Sequence, residues 1–377
     1  MVRLTVRGAL AVAIALAFVA TASAQPDEAR TPRMITELGL REAPEPVRAS
    51  PGWRPPRRVL VRGLTPALGA WLQAVAPGVE LVGADSVSEA QGAAADVDVS
   101  LGFCEESVLA SGARIRWVQT LNAGVERCLT SPVIAQRGIL LTNMQRIAGP
   151  VMAEHVMALV LAHARGLPVY LAAQRDGRWA RGGDLMAGGS ADAYALTGKT
   201  MLVVGFGGIG SEVARRAHAF GMNVLAIRNS KAAPPPFVSR MGLPSDLATW
   251  VGDADIVVDT LPLTPDTQGM FDAKIFGAMK RTAFFVNVGR GGTVVTDDLV
   301  QALQSGTIAG AGLDVVDPEP LPSGHPLWKA PGLMLTPHVS ADSDIDDEFR
   351  WLLVRENLRR YVLGERMLSV VDAARGY

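Results

Sequence analysis

No stretch confines the fold more than "VVGFGGIGSEVARRA", residues 203–217. Apolar residues lead into glycines at 205, 207 and 210, and helical spacing begins directly after them. A strand that ends on G-x-G-x-x-G and turns straight into a helix builds a parallel strand–helix–strand crossover. Gly205 permits the tight turn, Gly207 lets a pyrophosphate approach the backbone, and Gly210 lets the helix pack on the strand. The free N–H groups of the first helical residues, Gly208, Ile209 and Gly210, then face phosphate oxygens.

The segments around the motif repeat the same alternation. "TMLVVGF", "MNVLAIR", "DIVVDTLP", "AFFVNVG", "AGAGLDVV" and "GLMLTPH" predict six strands with helices between them, as in a doubly wound dinucleotide domain. Upstream, "VLVRG", "VELVGA", "DVDVSLGF", "IRWVQTL" and "ILLTN" predict a second parallel sheet covered on both faces. A long apolar helix over 151–167 joins the two series, and "DDEFRWLLVRENLRRYVLG" forms a last helix after His338. If that helix returns to the first sheet, the first domain is discontinuous. The expected domains are then 57–150 with 340–377, and 151–339 for the dinucleotide domain. Residues 25–56 are rich in Pro and charge and read as an extended arm.

The chain has 377 residues, with 49% hydrophobic and 19% charged, which suits large packed cores rather than disorder. A net charge of -1 without a long basic run argues against nucleic acid or an anionic membrane surface as partner. Two cysteines, Cys104 and Cys128, make neither a disulfide framework nor a zinc site, and no metal site is expected. They read as two small buried apolar side chains, with one disulfide as the alternative after export. The N-terminus has the layout of a secretory signal: Arg3 and Arg7, a 12-residue apolar run, then Ala22-Ser23-Ala24. Cleavage after Ala24 would send residues 25–377 to the periplasm or outside the cell, with no membrane attachment. The alternatives are an uncleaved anchor, or initiation at Met34 and a cytoplasmic protein.

Which dinucleotide the motif serves is written at the end of the following strand. An NAD site places Asp or Glu about 20 residues beyond the glycines, on the adenosine ribose. Here Ile227 to Ser245 contains no acid and begins with Arg228, Asn229, Ser230 and Lys231. A guanidinium grips a 2′-phosphate in a fork, and an acid would repel it. NADP(H) is therefore the expected cofactor, with NAD(H) as the alternative.

A dinucleotide site of this kind needs groups nearby that can carry charge and move a proton, and a few residues stand out. Arg290 stands between glycines at an apolar strand end, where a charge is costly without a ligand. It would bind an anionic ligand and polarise the group that reacts. Among five histidines only His338 closes a strand at its C-terminal end, where ligands of such sheets bind. It is the candidate proton donor. A carboxylate beside it would favour the imidazolium, and Glu319 and Asp317 are the nearby acids.

"VNVGRGGTVVTDDLVQAL", "GAGLDVVDPEPLP" and "LTPHVS", taken together, resemble the D-isomer-specific 2-hydroxyacid dehydrogenase family. The resemblance runs from about residue 57 to the C-terminus, and the chain is most similar to the glyoxylate and hydroxypyruvate reductases that prefer NADPH. It implies a Rossmann cofactor domain inserted into a flavodoxin-like substrate domain, both doubly wound α/β parallel sheets. It makes Glu319 rather than Asp317 the third catalytic residue, and Asp314 the contact to the nicotinamide carboxamide. It assigns the backbone of Ala123 and Gly124, in "TLNAGVE", to the substrate carboxylate, and places Leu261 and Pro262 near the cofactor's adenosine half. It also implies a homodimer built on the 151–167 helix and the arm carrying Trp179. Three features depart from the family's look: Asn122 before Ala123, the polar pair Gln145 and Arg146, and the acidic "VSADSD" after His338.

The resulting expectation is an exported two-domain dehydrogenase that reduces a small 2-oxo acid. One rival is the same chemistry with NADH. Formate oxidation is disfavoured, because that branch carries Gln where Glu319 stands. A second rival is a dinucleotide-sensing binding protein on the same fold, as in the C-terminal-binding corepressors, which a secretion signal argues against.

Overall fold

The computed structural model describes residues 28–179 and 193–373, apart from the side chain of Asp346. The signal-like segment 1–24 lies outside the described residues.

Two all-parallel sheets carry the fold. The first contains β1 (Arg58–Arg62), β2 (Glu80–Ala84), β3 (Val99–Leu101), β4 (Trp117–Gln119) and β5 (Leu140–Thr142), in the order β2-β1-β3-β4-β5. The second contains β6 (Thr200–Val204), β7 (Asn223–Ile227), β8 (Arg240–Gly242), β9 (Ile256–Asp259), β10 (Phe284–Asn287), β11 (Gly310–Leu313) and β12 (Leu333–Leu335). Its order is β12-β11-β10-β9-β6-β7-β8. Apolar runs in β9 and β10 are buried over their whole length, as strands covered on both faces must be. Each large apolar side chain sealed this way contributes about 1.5–3 kcal/mol.

Strand order reverses at β6, which has β7 on one side and β9 on the other. Loops at the C-terminal ends diverge there and leave the crevice where open α/β sheets bind ligands. Edge strand β8 is a seventh strand beyond the six expected. At three residues, none of them fully buried, it has too little apolar pattern to be visible in sequence.

The apolar helix expected over 151–167 is Gly149–Ala164. Gly166, at φ 64°, ends it, and a second helix, Leu167–Arg175, sets off after a 72° bend. The first helix buries Ala153, Val156, Met157 and Val160 against the second sheet. No single helix among the described residues is long and apolar enough to cross a membrane.

The last helix, Asp346–Leu363, packs Leu352, Leu353, Leu358 and Tyr361 into the core of the first sheet. Tyr361 stacks on Trp117 with ring centroids 4.8 Å apart. Buried Asn357 donates to Gln119 Oε1 (2.9 Å) and accepts from the Leu368 amide (2.9 Å).

The N-terminal segment is not the extended arm that its composition suggests. Thr31–Glu37 is a helix with Pro32 in its first turn, where proline's missing N–H costs nothing. Met34, Leu40 and Val47 are buried in the first core. The Ala43 amide donates to the Met367 carbonyl (2.8 Å) and the Val47 amide to the Glu365 carbonyl (2.8 Å). Three apolar anchors, spaced too widely to register as a pattern, hold the segment down.

Candidate active site

The Gly-rich turn joins β6 to the helix Gly208–Ala219. Gly205 has φ 99°, which a side chain rarely tolerates. A Cβ on Gly210 would sit 2.2 Å from the Gly205 carbonyl oxygen, so the helix packs on the turn as closely as a bare Cα allows. Thr260 locks the turn from β9 by donating to the Gly205 carbonyl (2.7 Å). At Gly207 an added Cβ would meet nothing within 4 Å, so the backbone there is open to approach. The residues fit a dinucleotide on that ground and on a second. At the end of β7, Arg228 is half-buried, and its Nε is buried with no hydrogen-bond partner among the described residues. An orphaned buried donor is costly, and a phosphate would satisfy it. Ser230 and Lys231 beside it are exposed, as is Asn229.

Arg290 follows β10 in a loop whose glycines are required by close approach. A Cβ on Gly289 would lie 2.6 Å from the Leu261 carbonyl oxygen, and one on Gly291 2.0 Å from Val316. The first contact places Thr260 and Leu261 against the arginine loop, with Pro262 next in the chain. The second brings the loop that continues to Glu319 against it. Buried side chains fix the loop from below. Asn287 Nδ2 donates to the Arg290 carbonyl (3.0 Å), and the Gly289 amide donates to Asn287 Oδ1 (2.9 Å). Thr293 Oγ1 lies 2.7 Å from the Arg290 carbonyl and 2.5 Å from Asp259 Oδ2. Asp259 is wholly buried at the end of β9, and burial pushes its carboxyl up to about 7 against the lowering effect of bonds from Thr293 and the Leu261 amide.

The guanidinium reaches across to the first sheet. Nε donates to Glu126 Oε1 (2.8 Å) and Nη1 to the Gly289 carbonyl (2.7 Å). Nη2 lies where a Cβ on Gly124 would be only 2.0 Å away. Gly124 is therefore glycine because the arginine rests on it. The loop Asn122–Val125 is held by Asn143 Nδ2 donating to the Ala123 carbonyl (2.6 Å) and by Thr120 and Met144 donating to the Asn122 carbonyl. The N–H groups of Ala123 and Gly124 bond no other group among the described residues.

The two cysteines are disulfide-bonded rather than buried thiols. Cys104, just after β3, joins Cys128 in the short helix Glu126–Leu129 that follows the Gly124 loop. Their Cα atoms are 5.2 Å apart, within bridging reach. They stand 24 positions apart in sequence, so only the fold shows the pairing.

His338 sits at φ 57°, a left-handed conformation that costs a histidine of order 1–3 kcal/mol. Its Nδ1 is 2.7 Å from Glu319 Oε1. Of the two acids of that loop it is Glu319 that meets the histidine, and the backbone carbonyl of Asp317 accepts from Thr296 Oγ1 (2.8 Å). Asp314 holds the histidine in place. Its buried carboxylate accepts from Thr336 Oγ1 (2.6 Å) and the amides of Val339 and Ser340 (3.0 Å each), and its carbonyl accepts from the His338 amide (2.8 Å). Burial works to raise its pKa, but hydrogen bonds from Ser340, Thr336 and Val339 outweigh it and hold the carboxyl below the usual range. His155, on the Gly149–Ala164 helix, extends the chain of contacts through Thr336 Oγ1 (3.0 Å).

Two residues that touch this machinery escape a reading of the sequence. Glu126 is visible there only as the end of "TLNAGVE". Asp259 carries a better signal: an acid closing an otherwise apolar strand, the same oddity that marks Arg290.

The chain matches the family model described as D-isomer specific 2-hydroxyacid dehydrogenase, NAD binding domain, over residues 157–340. A mouse protein named glyoxylate reductase/hydroxypyruvate reductase is 34% identical over 260 residues, spanning 69% of this chain and 78% of its own length. A D-isomer specific 2-hydroxyacid dehydrogenase from Xanthobacter autotrophicus Py2, solved with NADPH and MES, superposes with a TM-score of 0.73 at 29% identity over 86% of this chain and 100% of its own. An NADPH-dependent glyoxylate/hydroxypyruvate reductase from Sinorhizobium meliloti, solved with NADP and sulfate, gives 0.70 at 29% identity over 85% and 99%.

Proposed function

Since the chain belongs to the D-isomer specific 2-hydroxyacid dehydrogenase family, we propose that it uses NADPH to reduce a small 2-oxo acid of the glyoxylate or hydroxypyruvate type. The observation that carries the choice of cofactor is Arg228, with a buried, orphaned Nε at the end of β7 and no acid from Ile227 to Ser245. Relatives described as NADPH-dependent glyoxylate/hydroxypyruvate reductases support it.

Gly207 and the helix start hold the pyrophosphate, with Leu261 and Pro262 toward the adenosine half. Arg228, with Asn229 and Ser230, takes the 2′-phosphate. A dihydronicotinamide held there would supply the hydride for the substrate's carbonyl carbon, and Asp314 would lie on the side of its carboxamide. Arg290 binds the substrate carboxylate and polarises the carbonyl, assisted by the backbone N–H groups of Ala123 and Gly124. Glu126 holds the guanidinium until substrate competes for it. His338 gives the carbonyl oxygen its proton from Nε2, because Nδ1 is engaged by Glu319 at 2.7 Å, which also compensates the imidazolium charge.

The test is initial rates with a panel of 2-oxo acids and both dinucleotides. Arg228→Ala should raise the Michaelis constant for NADPH about 10- to 150-fold, the worth of one charge-assisted contact, and leave NADH nearly unaffected. Equal response of the two cofactors overturns the phosphate-reading role.

Export is part of the same proposal. A disulfide between Cys104 and Cys128 persists in oxidising compartments and supports use of residues 1–24 as a signal. A homodimer is also proposed, supported by the exposed apolar side chains Leu167, Leu171 and Trp179, the last 95% exposed.

A further inference from the structure

Arg146 belongs to the crossing from β5 to the Gly149–Ala164 helix, on the first-sheet side of the cleft. Three observations set it apart. Its backbone is left-handed, at φ 74°, where a non-glycine residue is strained. Its side-chain stem lies on the dinucleotide turn: a Cβ on Gly208 would be 2.7 Å from Arg146 Cγ and 3.1 Å from its Cα. Its guanidinium is weakly held, by a 3.3 Å donation from Nη1 to the Leu38 carbonyl.

The charges around it do not balance. Burial, then Arg41, and also Arg228 disfavour the charged form, and only Glu212 opposes them. Glu212 is already engaged by Arg216 (2.7 Å) and Arg215 (3.5 Å). A strained backbone, a half-buried cation and like-charged neighbours each cost free energy, and among the described residues the guanidinium's hydrogen bond is the long one to the Leu38 carbonyl. An anion between Arg146 and the Gly208–Gly210 amides would recover that cost.

We propose that Arg146 binds the pyrophosphate of the dinucleotide from across the cleft, so that the cofactor is held by an arginine of the first unit as well as by the glycine turn of the second. The proposal rests on dinucleotide binding at that turn and is independent of the preference for NADPH. Because the pyrophosphate is common to both cofactors, Arg146 acts on both, whereas Arg228 acts on the 2′-phosphate of one.

The experiment is equilibrium binding of NADPH and of NADH, without substrate, followed by nicotinamide fluorescence, alongside thermal unfolding of the dinucleotide-free protein. Arg146→Met keeps the stem over Gly208 and removes the charge. It should weaken both dinucleotides by the same factor, about tenfold or more. Arg146→Lys should recover part of that loss. Arg146→Gly relieves the left-handed strain, so it should melt no lower than the wild type and still lose the same affinity. Unchanged affinity for both dinucleotides in the Met and Gly variants overturns the proposal. Weakening of NADPH alone overturns the pyrophosphate assignment. The NADPH selectivity of Arg228→Ala, whether lost or kept, bears on Arg228 and not on Arg146.

Discussion

The two sheets hold their working ends by different means. On the seven-stranded sheet, buried acids under the loops do it. Asp259 with Thr293 and Asn287 sets the Arg290 turn, and Asp314 with Thr336 sets His338. On the five-stranded sheet the Asn122–Val125 loop is held by Asn143 and backbone bonds instead, and the Cys104–Cys128 bridge ties down the helix that follows. Arg290 and His338 are preorganised by polar networks at the ends of one sheet. The loop that presents bare amides is held by a few hydrogen bonds and followed by a helix that is tied covalently. Arg290 joins the two through Glu126.

The comparison breaks first at the histidine. His338→Ala should lower kcat by about 10²- to 10⁴-fold with dinucleotide affinity intact, as expected for a lost general acid. Stopped-flow turnover with equilibrium binding checks this, and near-normal kcat would remove His338 from proton transfer. Next comes the bridge. Cys104→Ser with Cys128→Ser should cost about 3–4 kcal/mol of stability for a closed loop of this size. Denaturant unfolding measures it, and thiol titration of the unfolded wild type should find no free cysteine. An unchanged midpoint would mean that the substrate-side loop needs no tie.

The smallest effect concerns Asp259. Its carboxyl is raised to about 7 in the folded protein and is ordinary in the unfolded chain. The folded state therefore keeps a proton that the unfolded state releases. This contribution to stability is full below about pH 4, declines as pH rises, and is gone above about pH 7. Asp259→Asn should remove that slope and gain about 1–3 kcal/mol on the wild type between pH 5 and pH 8. Parallel pH–stability curves would show that Asp259 is ionised throughout.

Much of the fold is legible because parallel strands announce themselves as apolar runs. β9 reads "IVVD" and β10 reads "FFVN", short β-branched or aromatic runs between helical stretches, as strands covered on both faces do. β8 is hidden because an edge strand of three residues needs no apolar run. The docked N-terminal helix is hidden because its anchors, Met34, Leu40 and Val47, pack into a core shared with the last helix, more than 280 residues away. At the site, residues that contradict their surroundings are visible: Arg290 in an apolar strand end, and glycines in a fixed spacing. Residues defined by a partner are not. Glu126 acquires meaning only when the second sheet is folded against it, Arg146 shows in sequence only as an unexpected polar residue, and the disulfide appears only when the helix and strand between Cys104 and Cys128 bring its halves together.

The packing of both ends of the chain into one core sets an order of assembly. Met34 shares a cluster with Leu352 and Leu358, and Arg355 pairs with Glu28 at 2.7 Å. The first unit thus lacks a wall until the ribosome has made the last helix, although its five strands are made early. A nascent chain can close the second sheet while the first is still open. The first unit is then completed only when the last helix docks.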